Sequence, residues 1–227
     1  MLAAMPGGRI GDGAVIAAVA HGRQTSNLCQ AEDDGILRPM GQPLPTSRPA
    51  TYADLLALPD HVVGEIIGGE LFVSPRPAPR HTVASSVLGG ELGPPYHHGR
   101  GGPGGWWILD EPELHFADDV VVPDLAGWRR VRMPVMPETA YFTVPPDWVC
   151  EVLSPGTARL DRHRKLGVYA RAGVAHAWLI DPLQRTLEVL QLEGGHWVIV
   201  SVHAGDEEVR VPPFAETVLA LKGLWVD

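Results

Sequence analysis

The sequence predicts a mixed α/β domain (α+β), with a central mixed β-sheet flanked by helices. Three observations predict it. Apolar runs of strand length, such as "WWILD" and "WVCEVL", are bounded by turn residues. The stretch "GTARLDRHRKLGVYARAG" reads as a helix, with Gly173 placed to end it. The elements follow the order helix, strands, strand, helix, strand, strands, which fits one mixed domain.

The first 47 of 227 residues carry scattered glycine and polar residues without a sustained period. They read as a disordered leader, or as an over-extended start with Met40 as one alternative start. The domain is expected over residues 48–227. In "TYADLLALP", Thr51 caps a short helix and Asp54 supplies the acidic half of a capping box. "HVVGEIIGGELFVSP" is an N-terminal β-hairpin turning at Gly68-Gly69, where positive φ is needed. "RHTVASSVLGGEL" is a helix with Val83, Val87 and Leu88 inward, and "GPPYHHGRGGPGG" is a loop. "WWILDEPELHF" and "VVVPDLAGW" are strands, the second interrupted at Pro123. After the strand Trp148–Leu153 and the helix come the strand "VAHAWLIDP" and a C-terminal hairpin turning at Gly194-Gly195. The seven tryptophans are read mostly as core.

A net charge of −9 argues against non-specific coating of nucleic acid. It is compatible with an enzyme whose positive charge is local or supplied by a metal. No apolar run approaches the length of a membrane span. Two cysteines, Cys29 and Cys150, make neither a disulfide framework nor a zinc site, so a reducing, cytoplasmic location is the simpler reading.

The chemistry-bearing residue is Glu151. Trp148, Cys150 and Val152 share one face of its strand; Val149, Glu151 and Leu153 share the other. Both faces are otherwise apolar, the pattern of a strand covered on both sides. An unpaired buried charge costs several kcal/mol, roughly, so Glu151 needs a cation, a hydrogen-bond network, a metal or an opening to water. Asp124 follows three valines and a proline, where an apolar strand opens or bends; Pro-Asp is also a common turn opening. Glu113 is a third acid in a strand-like context. Asp161, Lys165 and Tyr169 form an i, i+4, i+8 stripe: either a solvent-facing ion pair or a lysine turned back toward Glu151. Arg129, Arg130 and Arg132, and Arg159, Arg162 and Arg164, form basic clusters on either side of the expected site.

An acid, then Pro-Asp, a strand Glu and a Lys, in this order, resemble the PD-(D/E)xK nucleases. With "TYADLLALP", "GEIIGGELFVSPRPAPRH", "VCEVLSPGTARLDRHRKLGVYARAGVAHAWLIDP" and the closing hairpin, residues 50–227 resemble more closely the Uma-type restriction endonucleases. The resemblance implies a restriction-endonuclease-like core with Asp124 and Glu151 on adjacent strands, holding Mg²⁺ or Mn²⁺. The main-chain carbonyl of Val152 would add a metal ligand. The superfamily's usual lysine, two residues after the strand Glu, is here Leu153; the Uma-like pattern places it on the following helix, at Lys165. Glu65 and His81 carry over as auxiliary site residues, with Glu113 and Tyr169 beside them, and Arg129, Arg130, Arg162 and Arg164 as nucleic-acid contact candidates. The expected function is a metal-dependent endonuclease on DNA, with a homodimer suited to a two-stranded substrate. The alternatives are a non-catalytic module that binds nucleic acid or protein, and a phosphodiesterase for a smaller substrate.

Overall fold

A computed structural model describes residues 28–31, 37–39, 41–44 and 47–226. Most of the expected leader lies outside the described residues. Within it, β1 (Leu28–Ala31) and β2 (Leu37–Pro39) pair antiparallel. Just before the expected start of the domain, β3 (Pro43–Leu44) pairs with Leu71 and Phe72. An edge strand offers unpaired backbone groups that an extended neighbour can take up, and an edge position tolerates Pro43.

Helix α1 (Tyr52–Leu56) starts as expected: the Asp54 carboxylate accepts the Thr51 N–H at 2.7 Å. Strands β4 (Val62–Ile67) and β5 (Glu70–Pro75) form the predicted hairpin, and Gly68 and Gly69 take φ of 62° and 78°. Helix α2 (Pro79–Leu92) buries Ala84, Leu88 and Leu92, an i, i+4, i+8 row, in place of the expected Val83, Val87 and Leu88 row. Gly89 sits at a close approach: a Cβ there would lie 3.1 Å from Asp110 Oδ1 and 3.3 Å from Leu125 Cδ2, so those side chains would have to give way slightly. The expected loop after α2 begins instead as a wide helical turn, Gly93–His97. It buries Tyr96, whose hydroxyl donates to the Phe214 carbonyl at 2.6 Å, so the ring is held in the core.

The strands that follow are β6 (Trp106–Asp110), β7 (Leu114–Phe116), β8 (Asp119–Val121), β9 (Leu125–Arg129) and β10 (Trp148–Val152). A continuous helical segment comes next: α3 (Ala158–Leu160), a π turn (Asp161–Lys165) and α4 (Leu166–Ala172). Gly173 caps it at φ 78°. The chain closes with β11 (His176–Asp181), β12 (Thr186–Glu193), β13 (His196–Ala204), β14 (Glu208–Val209) and β15 (Leu219–Ala220).

Two sheets organise the domain. The larger runs β13-β12-β11-β10-β9-β6, with β10 and β11 parallel and the other pairs antiparallel. The smaller is β3-β5-β4-β8-β7. The C-terminal hairpin therefore extends the central sheet, while the N-terminal hairpin seeds a second one. Strand β10 is covered on both faces, as its composition predicts. Trp148, Cys150 and Val152 pack with Ala84 and Leu88 of α2. Val149 and Leu153 pack with Leu160, Leu166 and Val168 of the second helical segment. Among the described residues no helix is long and apolar enough to cross a membrane.

Candidate active site

The chain leaves the smaller sheet at Val121 and enters the larger one at Leu125. Pro123 has no N–H to continue a ladder, so the strand breaks there and Asp124 falls at the seam. In the register of β9 and β10, Leu125 faces Cys150, so the next step along each strand sets Asp124 beside Glu151. Both carboxylates line one cavity of about 320 Å³. Glu65 reaches it from β4, His81 from the first turns of α2, and Asp161 and Lys165 from the π turn. Such wide turns recur at functional sites because they re-aim side chains. Here Asp161 and Lys165 turn inward while Arg162, His163 and Arg164 face water.

Glu151 is 2 % exposed and both its oxygens are engaged. Lys165 Nζ donates to Oε2 at 2.9 Å and the Tyr169 hydroxyl donates to Oε1 at 2.5 Å. The same ammonium donates to the Val122 carbonyl at 2.9 Å and lies 3.0 Å from Glu65 Oε1. The ammonium therefore has three oxygen neighbours within 3.0 Å, two of them hydrogen-bond acceptors. Lys165 thus ties β4, β10 and the seam to the helix. Asp161 Oδ1 adds a further carboxylate 3.9 Å away.

Asp124 is anchored on both sides. Its Oδ2 accepts the Val152 N–H at 2.6 Å, and its Oδ1 lies 3.2 Å from His81 Nε2. Glu65 Oε1 accepts the Val122 N–H at 2.9 Å. His81 Nδ1 is buried without a hydrogen-bond partner among the described residues.

The electrostatics are lopsided. Five carboxylates (Glu65, Glu111, Asp124, Glu151 and Asp161) line the cavity with one ammonium, one guanidinium (Arg76) and one imidazole. Burial, reinforced by Asp161, Asp124 and Glu65, pushes the Glu151 carboxyl well above its usual range despite Lys165. Burial likewise lifts Asp161 to about 7. Burial acts to lower the Lys165 pKa, but Glu151 and Glu65 outweigh it and hold the group well above its ordinary value. Burial also opposes charge on His81, and there Asp124 outweighs it. Burial and the neighbouring Glu151 keep the Tyr169 phenol protonated. The arrangement lacks positive charge, which is what a hard divalent cation supplies to oxygen ligands. Asp124 and Glu151 oxygens retain lone pairs for one, so the donor set is compatible with a hard divalent cation. Among the described residues no cluster of three or more His, Cys, Asp or Glu side chains forms a metal site by itself.

Of the residues singled out from sequence, Asp124, Glu151, Val152, Lys165, Glu65, His81 and Tyr169 are brought together. Glu113 is not. Its carboxylate takes the Tyr52 hydroxyl at 2.9 Å and sits 2.7 Å from His115 Nε2, beside a different hollow under α1. The basic clusters also fall elsewhere. Arg130 donates to the Trp106 and His97 carbonyls and lies over the Trp107 ring, and Arg129 lies over Trp106. Both are at the far end of β9 from Asp124, about 17 Å along a strand at its usual rise. Arg162 forms a two-pronged pair with Glu188, and Arg164 pairs with Glu70. Asp161 is not among the residues singled out for the site; the sequence signal for its place is the stripe it shares with Lys165 and Tyr169.

A two-sheet α+β core with acids converging at its seam defines a restriction-endonuclease-like nuclease fold. The comparisons agree. The sequence profile of the Uma2 family, described as "Putative restriction endonuclease", matches residues 50–222, and the chain belongs to that family. A solved structure, a putative nuclease belonging to DUF820 from Anabaena variabilis, superposes with a TM-score of 0.63 at 26% identity. It covers 78% of this chain and 97% of its own. A search of curated proteins finds no match.

Proposed function

We propose that the protein is a metal-dependent endonuclease that hydrolyses phosphodiester bonds in DNA. One observation carries this reading: Asp124 and Glu151, distant in sequence, line one cavity with carboxylates in excess. Asp124, Glu151 and the Val152 carbonyl would hold Mg²⁺ or Mn²⁺. A divalent ion there would acidify water and draw charge from the phosphoryl oxygens. The chain's own groups do the rest. Lys165, bonded to Glu151 and held charged by Glu151 and Glu65, fixes the Glu151 carboxylate and offsets its charge. Tyr169 holds the other Glu151 oxygen. His81, steadied through Nε2 by Asp124, is the candidate proton shuttle. A two-fold dimer offering one cavity to each strand of a duplex belongs to the same reading.

The test is cleavage of supercoiled plasmid and of single-stranded DNA with Mg²⁺ or Mn²⁺, run beside Asp124→Ala and Glu151→Ala. Metal-dependent nicking lost in both variants supports the proposal. Binding of DNA without cleavage under either metal would overturn it in favour of a non-catalytic module.

A further inference from the structure

A cavity lined by five carboxylates repels a phosphate backbone unless its lining also offers accessible positive charge. Three basic residues line it. Lys165 is 4 % exposed, and its charge is taken up inside by Glu151 and Glu65. His81 faces Asp124 at 3.2 Å. Arg76 is the exposed one. Among the described residues it makes a single bond, from Nη2 to the Asp60 carbonyl at 2.9 Å, and no ion pair.

The setting of Arg76 is rigid. It opens the short strap 76–78, between β5, which ends at Pro75, and α2, which starts at Pro79. Pro77 follows it, and a following proline pushes a residue into extended backbone. Pro75, before it, has its own φ fixed by its ring. The Asp60 carbonyl, in the turn between α1 and β4, restrains the tip. A guanidinium carries five N–H donors in a planar fork, so four of them remain without a partner here. The Asp60 carbonyl is neutral and leaves the positive charge uncompensated. Arg162, by contrast, closes on the Glu188 carboxylate with both prongs. Ordering a long side chain without giving it an anion adds little to folding; it lowers the cost of taking an anion from outside.

We infer that Arg76 grips a backbone phosphate of the nucleic acid at the cavity mouth, beside the phosphate that meets Asp124 and Glu151. This rests on the nuclease reading and names a residue that holds the substrate of that site. The fork suits two phosphate oxygens at once and reads no sequence. Because the gripped phosphate does not react, the contact is equally strong in the ground and transition states and acts on KM rather than kcat.

The experiment compares the full chain with Arg76→Ala, Arg76→Gln and Arg76→Lys. Arg185→Ala is the control, since it removes the same charge from a residue paired with Asp206 and absent from the lining. Binding to a labelled 30-nucleotide duplex is read by fluorescence anisotropy with Ca²⁺ over a range of salt. Arg76→Ala and Arg76→Gln should each bind about tenfold more weakly and lose about 0.9 from the slope of log Kd against log[salt]. Glutamine keeps a donor for the Asp60 carbonyl, so its loss reports the charge even where the Ala variant melts early. Arg76→Lys should keep most of the slope, and Arg185→Ala all of it. In plasmid nicking with Mg²⁺ or Mn²⁺, Arg76→Ala should raise KM about tenfold with kcat little changed. An unchanged slope in the Ala and Gln variants, an equal loss in Arg185→Ala, or a fall in kcat at constant KM overturns the grip. Wild-type protein that binds no DNA at low salt overturns it too. An unchanged slope with nicking intact sinks Arg76 alone; binding without nicking sinks the nuclease reading and leaves the slope to judge Arg76.

Discussion

Asp161→Asn isolates the charge surplus of the cavity. Asp161 is 4 % exposed, and burial lifts its carboxyl from an ordinary 3.8 to about 7. A rise of that size corresponds to about 4 kcal/mol at full ionisation. The sign follows from proton binding. The folded chain holds this proton more tightly than the unfolded chain, so below about pH 4 the group costs nothing. As pH rises from 3.8 toward about 7 the unfolded chain releases the proton first, and stability falls by about 1.4 kcal/mol per pH unit. Above about 7 the penalty is complete. Asparagine keeps the size of the side chain and abolishes the titration. Urea unfolding in EDTA should therefore show wild type and variant nearly equal at pH 4. At pH 8 the variant should be more stable by up to about 4 kcal/mol, less whatever share Glu151, raised by the same neighbours, takes over. Curves that stay parallel from pH 4 to 8 would refute the reasoning, because an acid that ionises freely in the folded state cannot be the strained member of this cluster.

Three further outcomes follow from the same contacts. Lys165→Met strands Glu151 and Glu65 without their shared cation and should cost about 3–5 kcal/mol in urea melts at pH 7; adding Glu151→Gln should recover part of it. Tyr169→Phe removes a donor to a buried carboxylate and should cost about 1.5–3 kcal/mol while leaving the helix intact by circular dichroism. Cys150 is fully buried and burial pushes its thiol well above the usual range, so native Cys29→Ser protein should resist a maleimide that labels it promptly in denaturant.

How far the sequence could be read depended on the kind of signal. Alternation around Glu151 predicted a strand covered on both faces, because a period of two leaves few other solutions. Paired glycines predicted both hairpins, because positive φ is a local demand. The Pro-Asp pair marked where a strand opens or bends, because proline cannot continue a ladder. What failed was anything decided by partners distant in sequence. Arg129 and Arg130 are dense along the chain, yet aromatic faces and carbonyls occupy them. Glu113 sits in a strand-like run, but the turn at Glu111, with φ 45°, sends it to Tyr52 and His115. Asp161 looked like a surface pair because an i, i+4 stripe does not say which side of a helix is covered. Linear charge density reports neighbours in sequence, and ion pairing is settled by neighbours in space.

The move of the site lysine from strand to helix has a packing cause. Leu153 shares its strand face with Glu151 and is buried in the cluster that holds Leu160 and Leu166. An amine at that position would lie among apolar side chains, with desolvation working against its charge. From the helix, Lys165 approaches the same carboxylate from the opposite layer, where Val122 and Glu65 supply its remaining acceptors. The wider turn that admits it also carries Asp161 inward, which adds a further buried carboxylate to the cavity. The strand core thereby stays dry and well packed, while the seam accumulates negative charge that one lysine does not balance.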